Sequence, residues 1–404
     1  MSEVGQRIAG EIRDSGAITF ARFMELALYC PNFGYYEKEE DIIGHRGDYY
    51  TSVSVSSLFG ELLAFQLAGW LQERLGVNAE RQQPRRSGEG RENSQVMRIV
   101  EAGAHGGDLA RDILGWLRQH RPSLFQSLEY WIIEPSERRR NRQQQNLREF
   151  SHKVRWMADS AELTGRSDPE FHPPHSPGFQ GVIFSNELLD AMPVQRLGWD
   201  AKARIWFEWG VTLQAGQFVW TRIFDGGRGH RNQHYIDRIS SSHFQLPVEN
   251  GLLDVLPDGF TTELCPAAEE WWRTAATALE CGKLVAIDYG LSADEFFVPE
   301  RKEGTTRAYQ HHQPSSNVLA NPGEQDITAH VNFTAIRNAG ESAGLRTDSF
   351  LTQAQFLTGI AERTWKHEGS FGEWTAERTR QFQTLTHPDH LGRSFRVLVQ
   401  SRGL

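Results

Sequence analysis

Short apolar runs of strand length recur along this chain, and each ends at or near an acid before a turn. Residues 99–100 (IV) end at Glu101, residues 130–133 (YWII) at Glu134, and the run around 154–157 near Asp159. Residues 181–184 (GVIF) lead to Glu187, and residues 283–287 (KLVAI) end at Asp288. Runs of this kind alternating with helical stretches imply a mostly parallel sheet covered on both faces. In such a sheet, ligands gather beyond the carboxyl ends of the strands, where the strand order reverses. A single acid at a strand end is commonly a helix cap, but five in series point to a ligand.

The segment 96–114, VMRIVEAGAHGGDLARDIL, is the most informative of these. A glycine-rich turn (Gly103, Gly106, Gly107) opens a helix with Leu109, Ile113, Leu114 and Leu117 at helical spacing. Glycines permit positive φ and leave space for a ligand. A dinucleotide would place its pyrophosphate on the helix N-terminus, and Asp108 there is a poor companion for it. Acids in and before the turn, Glu101 and Asp108, better suit a ligand with a cationic end, such as the amino and sulfonium groups of S-adenosylmethionine. His105 stands where a nucleotide-binding turn carries its middle glycine, and a non-glycine residue at positive φ is disfavoured.

Glu134 lies at the end of the next strand, where a carboxylate can accept both hydroxyl hydrogens of a ribose. It could equally cap the polar helix that follows. Asp159 could receive an adenine amino group or start the next helix. After the fourth strand comes Asn186-Glu187-Leu188-Leu189-Asp190. On a helical turn Glu187 and Asp190, three apart, would project from one face. Paired carboxylates hold a guanidinium in a fixed plane, though the same acids could simply open a capped helix. His311, His312 and His330 with Asp326 lack metal-ligand spacing, and hydrogen-bonding or substrate-positioning roles are expected for them instead.

The length of 404 residues suits one large domain with additions, or two. The net charge of −9 argues against general nucleic-acid binding, which needs a basic face. Cys30, Cys265 and Cys281 are scattered, without disulfide or zinc spacing. No apolar run approaches a membrane span, and the first twenty residues read as neither signal nor transit peptide. A cytoplasmic protein is therefore expected. Phe20, Phe23, Met24, Ala27 and Leu28 form a buried helical stripe. A helix is expected around 58–75, and residues 77–95 are polar and aperiodic, a flexible linker. Residues 194–224 alternate apolar and polar side chains with glycine turns, as an antiparallel hairpin does.

Together these segments resemble the MidA family of S-adenosylmethionine-dependent methyltransferases. Its mitochondrial members are complex I assembly factors that methylate arginine on a complex I subunit. The resemblance rests on ITFARFMELALYCPNFGYY (18–36), GDYYTS (47–52), VEAGAHGGDLARDIL (100–114), IIEPSE (132–137), SNELLDAMPVQ (185–195), GKLVAIDYG (282–290), GTTRAYQHH (304–312) and PGEQDITAHVNFTAI (322–336). It implies an α/β class I methyltransferase (Rossmann-like) fold with a seven-stranded sheet, the last strand antiparallel. An N-terminal helical cap with a cofactor-closing loop (1–76) and the linker (77–95) precede the methyltransferase domain (96–404). That domain carries substrate-side insertions at about 194–260 and 291–334.

The implied cofactor is S-adenosyl-L-methionine, held by Glu101, Gly103, His105, Gly107, Glu134 and Asp159, with Asp48, Thr51 and Ser52 on the closing loop. Asn186, Glu187 and Asp190 are the implied catalytic residues. Asp288, Tyr289, Arg307, Tyr309 and His312 line the substrate side. The implied partner is a protein with a target arginine, with no nucleic acid, no membrane span and no metal, and a homodimer is compatible with the sequence. Two other readings stay open: an assembly factor with a vestigial cofactor pocket, motivated by His105, and a small-molecule methyltransferase.

Overall fold

The computed structural model describes residues 1–38, 51–81, 97–164, 179–223, 254–310, 313–315, 317–366, 369–389 and 391–403. Asp48, His312 and the linker from residue 82 onward lie outside the described residues. The first strands in chain order are β1 (Ile18–Thr19), β2 (Met97–Ala102), β3 (Leu128–Ile133), β4 (Val154–Met157) and β5 (Phe179–Asn186). An antiparallel group follows: β6 (Gln195–Asp200), β7 (Ile205–Gln214), β8 (Gln217–Ile223) and β9 (Thr261–Leu264). The remainder are β10 (Leu279–Leu291), β11 (Arg307–Gln310), β12 (Gln313–Ser315), β13 (Asp326–Thr328), β14 (Val331–Asn332), β15 (Arg346–Thr352) and β16 (Phe395–Arg402).

The chain divides into two compact units, each assembled from three stretches. One comprises residues 51–188, 271–288 and 340–404, and holds a sheet in the order β15-β16-β10-β5-β2-β3-β4. The pairs β4–β3, β3–β2, β2–β5 and β5–β10 are all parallel, and β15 and β16 pair antiparallel. Burial is nearly continuous along β2 and β5, as parallel strands covered on both faces require. From β2 the chain builds outward through β3 and β4; it then returns to β5 on the other side of β2. The strand order therefore reverses between β2 and β5, whose ends carry the glycine turn and the Asn186-Glu187 pair. Helix Leu58–Arg81 continues past residue 76, so the first five residues of the expected linker are helical.

The second unit comprises residues 1–50, 189–270 and 289–339. Helices Glu3–Ser15 and Phe20–Tyr29 are opened by Ser2 and Thr19, whose side chains accept from Gly5 N and Arg22 N. The apolar stripe read from the sequence is buried. Phe20, Phe23, Met24, Ala27 and Leu28 pack with Ile8, Val211 and Ile327 in one core. The expected hairpin is a three-strand antiparallel run, β6-β7-β8, widened by β1 beside β7 and β9 beside β6. A small sheet, β12-β11-β13, lies beyond it in sequence.

The mixed sheet that runs from β15 to β4 has eight strands where seven were expected. The eighth, β14, pairs in parallel with Gly290 and Leu291, the last residues of the long β10. Two residues of Val-Asn between polar turns are too short to register as a strand in the sequence.

Candidate functional site

The turn after β2 is shaped by its neighbours as much as by its glycines. Gly103 and Gly107 have φ of 75° and 85°, and His105, between them, has φ 45°. A Cβ on Gly103 would lie 2.8 Å from Leu188 Cδ1, so the turn passes directly under the residue after Glu187. The helix Glu137–Asn146 clamps the turn from its other side. Gln143 Nε2 donates to the His105 carbonyl at 2.9 Å, and Asn146 Nδ2 donates to the Gly106 carbonyl at 2.9 Å. The turn therefore closes around His105 with its carbonyls satisfied. Burial pushes the His105 imidazole down to about 4, aided by the Arg139 charge, so the ring is neutral near pH 7.

Glu101 is 2% exposed, and burial raises its carboxyl to about 7. The Tyr130 hydroxyl, which donates to it at 2.6 Å, works against that rise, and the Asp108 charge adds to it. Such a carboxyl ionises readily only where a cation arrives beside it. Glu134 is equally buried, with one oxygen accepting from Ser136 N at 3.0 Å and Arg139 Nε at 2.9 Å. Its other oxygen accepts from Gln143 Nε2 at 3.2 Å. Glu134 thus anchors the start of the following helix, whose cap is Ser136, and its second oxygen keeps room for a further donor. Asp159 is exposed and accepts from Ala161 N at 2.7 Å and Glu162 N at 3.2 Å, which makes it the start of the helical turn Ser160–Thr164.

Beyond β5 the expected helical turn is absent. Glu187 sits at φ 52°, and its N–H donates to the Ile287 carbonyl, extending the pairing with β10. A left-handed residue there cannot begin a right-handed helix, so Glu187 and Asp190 do not share a helical face. The Glu187 carboxylate accepts from Ser52 N at 3.3 Å and Asn186 Nδ2 at 3.2 Å. Asp288 Oδ2 accepts from Leu188 N at 3.1 Å, so this acid holds the turn. Ser52 is fixed in turn by its hydroxyl, which donates to Gln353 Oε1 at 3.0 Å. Thr51 caps the same short helix by accepting from Ser54 N. Asn186 Oδ1 and Ser185 Oγ are buried at this strand end without a partner among the described residues.

In the other unit, the remaining candidates form a tyrosine-rich and acidic neighbourhood. Tyr36 donates to Asp326 Oδ1 at 2.8 Å, and burial, with the Asp326 charge and then Tyr29 and Asp190, holds its phenol well above its ordinary range. The Asp190 carbonyl accepts from Ala329 N, and the Tyr29 hydroxyl donates to the Ala191 carbonyl at 2.9 Å. Tyr289 stacks on His330 at 6.2 Å, and Tyr309 is the register partner of Asp326. Arg307 is exposed and turns back to the carbonyls of Gly304 and Thr306. No metal-binding group of His, Cys, Asp and Glu occurs among the described residues.

Sequence reasoning missed three groups. Gln143 and Asn146 lie in a strongly polar helix, where one buried amide has no periodic signature. Tyr36 lies in a segment quoted for the resemblance, and only the fold brings it to Asp326, for which a hydrogen-bonding role was expected. Glu263 is buried and accepts from the backbone and hydroxyls of both Thr305 and Thr306.

The residues at the reversal point fit S-adenosylmethionine. A buried, raised carboxyl at Glu101 suits a cationic group, Glu134 offers acceptors to hydroxyls, and the orphaned Asn186 Oδ1 awaits a donor. Known proteins agree with this cofactor. "Protein arginine methyltransferase NDUFAF7 homolog, mitochondrial" of Drosophila melanogaster is 25% identical over 423 residues, covering 99% of this chain and 85% of the relative. Its counterpart in Xenopus laevis is 24% identical, covering 96% and 81%. These names overturn the expectation of a cytoplasmic protein, because the relatives matched along nearly the whole chain are mitochondrial.

A crystal structure from Burkholderia thailandensis, bound to S-adenosyl-homocysteine, superposes with a TM-score of 0.75 at 29% identity. It covers 99% of this chain and 92% of its own. The family model for S-adenosyl-L-methionine-dependent methyltransferases matches residues 79–351. With S-adenosyl-L-methionine as its cofactor, this chain belongs to that methyltransferase family.

Proposed function

We propose that this methyltransferase modifies an arginine side chain of a protein substrate. The observation that carries the reading is the Glu187 turn: a carboxylate on strained backbone, held by Ser52 N and Asn186 Nδ2 beside the orphaned Asn186 Oδ1. Strain of this kind clusters at functional sites. The bound cofactor supplies an electrophilic methyl group. The guanidinium is always protonated at neutral pH and is a poor nucleophile. In this reading the Glu187 carboxylate accepts N–H bonds from it, fixes its plane and takes up the proton that the attacking nitrogen gives up as it gains the methyl group. The transfer then relies on alignment and charge placement, with no covalent enzyme intermediate.

In the same reading Glu101, Gly103, His105, Gly107, Glu134, Asp159, Thr51, Ser52 and Asp48 hold the cofactor. Tyr289, Arg307, Tyr309 and His312 serve the substrate, and Asp288 acts through the turn it holds. The names of the curated relatives support arginine and a protein target. The resemblance to complex I assembly factors extends the proposal to a respiratory-complex subunit as that target.

The test is incubation with methyl-labelled S-adenosylmethionine and an extract of cells lacking the protein, followed by mass spectrometry. Label on arginine of a protein, absent with Glu187→Gln, is the expected result. Label confined to small molecules would overturn the reading.

A further inference from the structure

We propose that Gln143 is the positioning residue of the cofactor site, presenting the Glu134 carboxylate and the 103–107 turn together to a ribose-bearing ligand. This rests on the reading that Glu134 accepts the ribose hydroxyls. Gln143 is the buried residue of an otherwise solvated helix, Glu137–Asn146, and it is 0% exposed. An apolar side chain would fill such a place at lower desolvation cost. Its amide is engaged by two strand-end loops and a strand instead. Nε2 donates to the His105 carbonyl at 2.9 Å and to Glu134 Oε2 at 3.2 Å, while Oε1 accepts from Trp156 Nε1 at 2.9 Å. The loops after β2 and β3 and the strand β4 are thereby tied to one planar group.

The amide also decides how Glu134 faces outward. Ser136 N and Arg139 Nε occupy one carboxylate oxygen, and Gln143 holds the other. Only the oxygen that Gln143 holds keeps room for a further donor, so the amide fixes the acceptor offered to a ribose hydroxyl. Arg139 and Ser136 anchor the other end of the carboxylate. The Trp156 indole prevents the amide from flipping, since a flipped amide would set an N–H against the indole N–H.

The experiment is calorimetric titration with S-adenosylhomocysteine and with its 2′-deoxyribose analogue. Gln143→Met keeps the length and removes the amide. We expect it to weaken S-adenosylhomocysteine about tenfold and the 2′-deoxy analogue by less than about threefold, because the analogue has already lost the hydroxyl in question. Equal weakening of both ligands would overturn the proposal, since a residue that only holds the turn cannot distinguish them. Trp156→Phe releases the amide without removing it and should give the same pattern at smaller amplitude, so it carries the test if Gln143→Met does not fold. Glu134→Gln separates the two levels. Unchanged affinity in that variant ends the ribose reading, and this proposal with it. If Glu134→Gln weakens binding while Gln143→Met and Trp156→Phe do not, the Gln143 assignment alone fails.

Discussion

His105 and Glu187 are both non-glycine residues in left-handed backbone, and both follow central strands of the same sheet. Their surroundings differ. At His105 the neighbouring carbonyls are bound by Gln143 and Asn146, so the turn is held by a buried clamp and the imidazole is incidental to it. At Glu187 the carboxylate itself receives the bonds, from Ser52 N and Asn186 Nδ2, and a buried acceptor beside it stays open. The same backbone strain therefore shapes a cradle in one place and aims a charged side chain in the other. The left-handed residue at Glu187 aims its own side chain, and the one at His105 shapes the backbone around it.

Substitutions can break this comparison, and the largest effect belongs to Glu187. Glu187→Gln should lower kcat by about 10²–10³ while changing the dissociation constant of S-adenosylhomocysteine by less than about threefold. A fall in cofactor affinity as large as the fall in turnover would place Glu187 on the cradle side. Next comes Glu134→Gln, expected to weaken S-adenosylhomocysteine by about tenfold or more in calorimetry, since it removes a charge-assisted acceptor.

The pH dependence of stability gives a smaller signal. Glu101 titrates at about 7 in the fold, against an ordinary value of 4.5. The folded state therefore holds the proton more tightly, and stability contributed below pH 4.5 is lost as pH rises toward 7. Because the depressed His105 and His330 imidazoles act in the opposite sense, the readout is a difference: between pH 5 and pH 8, Glu101→Gln should lose less melting temperature, or gain more, than the native chain. The smallest effect is expected from His105→Gly. Relief of strain and loss of unfolded-state restriction nearly cancel, so stability should stay within about 1 kcal/mol and cofactor affinity should hold. A large loss of affinity would show that the imidazole, and not the clamp, matters.

The parallel sheet was legible because its strands are buried on both faces and read as apolar runs ending in acids. Those acids do mark the strand ends around the reversal point, Glu101 and Glu134 among them. What stayed hidden has physical causes. The left-handed backbone at Glu187 goes with its bond to Ile287 O, a long-range pairing with no local signature, so a helical turn was expected there. Asp159 was left between two roles; Oδ1 alone makes the bonds to Ala161 N and Glu162 N that open the turn, so this role does not exclude the other. Gln143 was missed because amphipathic periodicity registers apolar side chains, and the buried group of that helix is an amide. The acidic and tyrosine-rich neighbourhood of Asp190, Tyr36 and Asp326 joins three distant segments, which no window along the chain can see.

The interleaving of the two units has a consequence for how the chain is made. One unit needs residues as far as 339 and the other as far as 404, and each begins within the first fifty-one. A chain leaving the ribosome therefore cannot complete either unit until most of its length has emerged. The early helices and the β2–β4 stretch must wait with apolar faces uncovered, a period of exposure in which chaperones matter most. Truncated products should accordingly be aggregation-prone rather than partly active.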